Sequence, residues 1–370
     1  MKYEYCKTDF IYETSRGDSS VQSGSVFDST LQNTWKAALE RGVFRYALNI
    51  QHSKILEGKF SFVAQVRNNK RPIRNATAYI VLLIWNFCKN CHQLNTDRAL
   101  KRRAPEEITS LTQPFDHDRF NFTKIDETEI LFELRRKCDT STNRHCVIIN
   151  ESPLEFGHCL LLPSRLNCLP QIATQHSLQL AIEIMLLSSN PAFRVGFNSL
   201  CGYASVNHLH YHGYYLNYSM LLEHISVQHL SGPCFILVNY PAKGFVFQLP
   251  SDKCPETLAR DVFKLTNFLV CNNVAHNIYI TRGTDFSSSH TNSKICNTVR
   301  VYVWARKSSS GAKQNDAFNP AICELIGHLS VKTEAAYWSL TEEQVVEMLS
   351  DVCEGPFGQV TDSVKELFED

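Results

Sequence analysis

Hydrophobic and polar positions change rhythm several times along this chain, and each rhythm predicts an element. The first 26 residues, with Thr14 to Ser20 and Ser23-Gly24-Ser25 rich in Gly and Ser, hold no sustained period and read as a flexible tail. A helix is expected from a cap at Asp28 or Ser29, because Leu31, Trp35, Ala38 and Leu39 share a face and Gly42 supplies a stop. Short β-like runs follow at Val43–Leu48, Phe60–Gln65, Glu129–Leu134 and Cys146–Ile149.

From residue 150 the order of elements repeats. The first pass predicts a strand in Gly157–Pro163, a helix from Gln171 to Ser188, a strand over Phe193–Leu200 and a strand containing His208. The second predicts a strand in Gly244–Pro250, a helix over Pro255–Cys271, and strands over Asn277–Arg282 and Val299–Arg306. The same order with little identity reads as an internal duplication. Thr341-Glu342-Glu343-Gln344 has capping-box form and opens a helix to about Val352, and an amphipathic segment spans Val360–Phe368. Interspersed strands and helices predict mixed α and β layers.

Composition narrows the function. The 370 residues suffice for one large domain or two modest ones, and 37 Lys+Arg balance 37 Asp+Glu. With no basic run longer than Lys101-Arg102-Arg103, nucleic acid and anionic membrane surfaces are not expected partners. The longest apolar stretch, Tyr79 to Cys88, is about half of the roughly 20 residues a spanning helix needs, so no membrane segment is expected. The N-terminal residues lack the apolar core of a signal peptide, so a cytoplasmic, reducing setting is expected, with the 14 cysteines mostly buried thiols and no disulfide framework.

His208-Leu209-His210-Tyr211-His212 is the candidate for chemistry. On a strand over Val206–Leu216, His208, His210 and His212 project to one face and Leu209 and Tyr211 to the other. The approach through Asn198-Ser199 and Gly202 to Asn207 is rich in small and hydrogen-bonding residues of the kind that hold phosphate oxygens. From these residues alone three readings stand: a neutral imidazole that attacks phosphorus, a metal site completed by another ligand, or a polar strand face.

The segment from Asn150 and Pro153 through Gly157-His158 to the His triplet resembles the histidine-triad superfamily of nucleotide hydrolases and transferases. The duplication, with no second His motif at Val299–Arg306, resembles the two-half branch that includes galactose-1-phosphate uridylyltransferase. Arg41 to Tyr46, Gln113 to Asp116, Phe120 to Lys124, Phe197-Asn198-Ser199 and Asn207 to His210 are similar to the GDP-hexose phosphorylases. The resemblance implies an α+β fold of the HIT-like kind: two tandem half-domains of antiparallel sheet with packed helices, residues 27–239 catalytic and 240–370 degenerate. It implies phosphorolysis of GDP-glucose by inorganic phosphate through a GMP–histidine. His210 is then the nucleophile, His208 orients it and His212 contacts the phosphate or the leaving oxygen. Ser205, Asn198, Asn207, Gly202 and Lys124 are the implied substrate and phosphate contacts. No metal or cofactor is called for, and related two-half enzymes allow a homodimer.

The alternatives are a nucleotide-sugar or dinucleotide hydrolase of the same superfamily, or an inactive nucleotide-binding or metal-sensing module. Asn150 reads as a turn former, and His158 and His328 as packed core histidines. Cys88-Lys89-Asn90-Cys91-His92 spells a haem-attachment pattern without the exported context it needs. Residues 66–93 form an insertion relative to the family pattern.

Overall fold

The computed structural model describes residues 1–16, 24–46, 48, 50–67, 107–137, 139, 143–250, 252–287, 295–309 and 317–369. The chain opens with β1 (Lys2–Tyr5), β2 (Thr14–Ser15), α1 (Val26–Glu40) and the antiparallel pair β3 (Ile50–Ile55) and β4 (Val63–Arg67). Next come β5 (Ile130–Arg136), β6 (His145–Ile149), β7 (Cys159–Leu162), α2 (Gln175–Leu187), β8 (Phe193–Asn198) and β9 (Tyr211–Tyr215). The pattern then recurs as β10 (Gln228–Ser231), β11 (Cys234–Ile236), β12 (Phe245–Gln248), α3 (Pro255–Cys271), β13 (His276–Gly283), a short β14 (Ile295–Cys296) and β15 (Thr298–Ala305). The chain closes with α4 (Ile322–Leu325), β16 (His328–Val331), α5 (Glu334–Ser339) and α6 (Glu342–Leu367).

Strand order shows how the two passes join. The main sheet runs β1-β5-β6-β7-β9-β8-β13-β15-β12-β11-β10. Counted inward from β5 and from β10, each half reads first, second, third, fifth, fourth. The two fourth strands, β8 and β13, pair antiparallel at the centre. The fold is α+β, two tandem halves of antiparallel sheet with helices packed on them. The second half opens at the β10–β11 hairpin, upstream of the expected boundary at 240. Its strands are short and the exposed Gln228 and His229 hide any apolar alternation.

Alternation along each strand divides the core. Val195, Phe197, Tyr211, Ile278, Ile280, Val301 and Val303 face a cluster with Leu178 and Ile182 of α2 and Leu258 and Val262 of α3. Tyr214, Tyr279, Tyr302 and Trp304 face the opposite cluster with β4, β16, α4 and the start of α6. Where β9 carries His212 and Tyr214, β15 carries buried Arg300, Tyr302 and Trp304, so the second half has no histidine motif on this face.

Several expectations need correction. Residues 1–16 are not a loose tail: β1 adds to β5 in parallel, Tyr3, Tyr5 and Phe10 are buried, and the Tyr5 hydroxyl donates to Glu183 at 2.5 Å. Ser25 rather than Asp28 caps α1, its Oγ accepting from Asp28 N, while the Asp28 carboxylate turns inward to Ser188, Ser189 N and Tyr215. Val43–Tyr46 and Leu48, the described part of the expected Val43–Leu48 strand, are not in a strand, since Phe44 packs on Trp35 and Arg45 and Tyr46 reach Glu151 and Pro153 instead of a ladder. α6 is one helix through Pro356, because Leu349 and Cys353 anchor one end in one core and Val360 and Val364 the other end in the other. Of the expected insertion, Val66 and Arg67 belong to β4; the remainder, Asn75, Cys88, Cys91, His92 and Lys101 to Arg103 lie outside the described residues.

Candidate active site

A cleft of about 620 Å³ opens on the sheet face opposite α2 and α3. His210, His212, Ser205 and Asn198 line it, with Phe120, Phe122, Ile148 and Leu160 on one side and Asn319, Glu324, Ser330 and Lys332 from the second half on another. β9 begins at Tyr211, so the strand is shorter at its N-terminal end than expected. The alternation nevertheless starts before the ladder, since Leu209 and Tyr211 are buried in the helix-side core and turn His210 and His212 to the cleft.

Each imidazole has its Nδ1 spoken for. His210 donates Nδ1–H to its neighbour His208's carbonyl at 2.7 Å, which leaves Nε2 as the ring's lone-pair nitrogen. Burial holds the His210 imidazole down at about 4, against the weaker upward effect of that carbonyl, so the ring is neutral at pH 7. His208 does not line the cleft. Its Nδ1 accepts from Phe122 N at 3.1 Å and its ring lies between Phe115 and Phe122, so the side chain fixes the aromatic wall while the carbonyl fixes His210. Burial, then the neighbouring His210, lowers His208 to about 4.

His212 is oriented by His158, which the sequence suggested was only packing. Leu154 N donates to His158 Nδ1 at 2.8 Å, so the proton of the neutral ring sits on Nε2. That nitrogen lies 3.1 Å from His212 Nδ1 and donates to it, leaving His212 with an Nε2–H. Asn150 Oδ1 accepts from Ser152 N, the turn role expected of it, and its amide nitrogen lies 3.1 Å from His158 Nε2. Gly157 holds φ +71, and a Cβ there would meet the Tyr215 ring at 2.6 Å, so the turn that delivers His158 requires glycine.

Gln171 is the residue that sequence reasoning missed, having been assigned to the start of a helix. α2 starts at Gln175 behind the Thr174 cap, and Gln171 is buried below the site. Its Oε1 accepts from His210 N at 2.8 Å, and its Nε2 donates to Asn198 O at 2.8 Å and His210 O at 3.1 Å. Asn207 supports it, accepting from Gln171 N and donating to the carbonyls of Gln113 and Pro114. Asn207 therefore braces loops instead of lining the cleft. Gly202 lies where a Cβ would meet Ser199 Oγ at 2.7 Å and His276 O at 2.8 Å, and its carbonyl accepts from Asn277. Asn198 Oδ1 accepts from Asn277 Nδ2 and Ile322 N, so its NH₂ is what it offers a ligand. Lys124 bonds the carbonyls of Asp118 and Arg119 on its own loop and does not line the cleft; among the described residues Arg45 and Lys332 are the Lys and Arg side chains that do. No group of three His, Cys, Asp or Glu among the described residues is placed to hold a metal ion.

Residues 26–82 and 83–214 match the GDPGP1-like N-terminal domain, and residues 223–370 the GDPGP1-like C-terminal domain. The chain belongs to the GDPGP1-like family. GDPGP1-like relatives include "GDP-D-glucose phosphorylase 1" of Danio rerio, 40% identical over 351 residues covering 94% of this chain and 92% of that protein. The Homo sapiens protein of that name is 40% identical over 346 residues, covering 91% and 82%. "GDP-L-galactose phosphorylase 2" of Arabidopsis thaliana is 29% identical over 365 residues, covering 92% and 75%. The GDPGP1-like fold is also that of yeast Ap4A phosphorylase Apa2, crystallised with Ap4A: TM-score 0.55, 14% identity, 89% of this chain and 97% of that one. No helix among the described residues is long and apolar enough to cross a membrane.

Proposed function

We propose that this chain is a GDP-D-glucose phosphorylase that works through a GMP–His210 intermediate. The observation that carries the reading is the neutral His210 at the cleft, its Nδ1–H tied to the His208 carbonyl. The reaction is the one for which the animal relatives are named. In the first displacement the Nε2 lone pair attacks the α-phosphorus of GDP-glucose, and the bond from that phosphorus to the bridging oxygen breaks. Glucose 1-phosphate leaves with the bond's electron pair. In the second, an oxygen of inorganic phosphate attacks the same phosphorus, the P–N bond returns its electrons to His210, and GDP leaves.

Electrostatic support comes from fixed donors. His212 Nε2–H, oriented through His158, meets the charge that develops on the leaving oxygen. The Ser205 hydroxyl and Asn198 NH₂ serve the equatorial oxygens. Free thiols at all eleven described cysteines fit a cytoplasmic setting. The test is intact-protein mass measurement after brief incubation with GDP-glucose and no phosphate. The wild type gains one GMP and releases it as GDP when phosphate is added, whereas His210→Asn gains nothing. An adduct of equal yield on His210→Asn would remove His210 from the role.

A further inference from the structure

The cleft lining is of two chemical kinds. In the first, a register row crosses four neighbouring strands, His212 to Leu160 to Ile148 to Ile130. Phe122, with Phe120 and Ile125 against it, packs on this row, and its ring centroid lies 5.1 Å from that of His210. Strand spacings of about 4.8 Å put Ile130 roughly 14 Å from His212 along the row. A nucleotide joined to His210 through its phosphorus can lay a flat apolar base along such a floor. The rest of the lining includes Arg45, Glu151, Asn319, Ser330 and Lys332, groups suited to a polyhydroxylated and phosphorylated partner.

Glu129, immediately before Ile130, lines the cleft at the outer end of the apolar floor. Its carboxylate is held by a short turn over Glu127–Glu129, with Oε1 accepting from Asp126 N at 3.0 Å. Of the other carboxylates lining the cleft among the described residues, Glu151 is ion-paired with Arg45, and Glu324, which caps its own helix on Ala321 N at 3.1 Å much as Glu129 caps its turn, comes from the second half and does not adjoin the apolar row. We propose that Glu129 is the base-reading residue, accepting N1–H and the exocyclic amine of guanine while Phe122 and Ile148 flank the ring. Guanine offers those two donors side by side. Adenine presents a lone pair at N1, which a carboxylate repels, and uracil flanks its one N–H with two acceptors. This inference rests on the GMP–His210 reading and names the specificity of that same site.

The test measures binding of GDP, IDP and ADP by calorimetry to wild type, Glu129→Gln and Glu129→Ala, with melting curves confirming that each variant is folded. Wild type should prefer GDP over ADP on the order of 10- to 100-fold, as a bidentate pair does, with IDP between because it lacks only the amine. Both variants should lose most of that preference. Retention of the wild-type GDP/ADP ratio within about twofold in both variants would overturn the role of Glu129 while leaving His210 untouched. Failure of the wild type to bind any of the three nucleotides would instead sink the phosphorylase reading, and this inference with it.

Discussion

Replacing Gln171 with Leu tests whether one buried amide holds the catalytic backbone in place. The side chains are similar in size, so the change leaves no large void, but the three bonds to His210 N, His210 O and Asn198 O disappear. A buried backbone group stripped of its partner costs about 1–3 kcal/mol, so even the low end for three groups amounts to about 3 kcal/mol. Guanidinium unfolding followed by tryptophan fluorescence should show a lower midpoint at unchanged slope. Because His210 then loses its backbone anchor, kcat should fall as well, on the order of 100-fold for a displacement near 1 Å. A Gln171→Leu protein within 1 kcal/mol of wild type, and within about threefold in kcat, would refute the bracing argument.

Two further outcomes follow from the histidines. His158→Phe removes the donor that fixes the His212 tautomer and should lower kcat on the order of 100-fold with little change in KM, while His158→Gln, whose amide can still donate, retains more; equal losses in the two would show that His158 only packs. His145, His208, His210 and His276 are each held at about 4 by burial, against about 6.5 when unfolded. The unfolded chain therefore takes up more protons below pH 6.5, and each group withdraws up to about 2 kcal/mol of stability between pH 6.5 and 5. Thermal melting at pH 5 should lie clearly below that at pH 7, and equal midpoints would contradict the burial of these rings.

Much of this architecture was legible in the chain. β6, β7, β8, α3, β13 and β15 carry near-continuous apolar runs or strong helical periodicity, and their repeated order announced two halves. The elements misjudged were those whose structure depends on distant partners. β1 is ordered by β5 more than a hundred residues away, α6 survives Gly355, Pro356 and Gly358 because both its ends are anchored, and Val43–Tyr46 gives up its β pattern to contacts with the 150–156 loop. In the site, alternation was enough to set His210 and His212 on a common face. The parts played by Gln171 and His158 were not, since a lone amide or imidazole carries no periodic signal and its meaning comes from what the fold sets beside it. Lys124 illustrates the converse: a charge singled out from the family-like segment Phe120 to Lys124 is claimed by carbonyls of its own loop.

The seam between β8 and β13 limits how the gene could be divided. A fragment ending after β9 would present β8 as an open edge made of six residues that are all buried in the whole chain, and its cleft would lack the wall supplied by Asn319, Ser330 and Lys332. Such a fragment is inherently adhesive, whereas the two pieces expressed together carry matching edges and a shared lining. Residues 216–227, between β9 and β10, are thus the natural cut for a split enzyme whose activity reports the reunion of its halves.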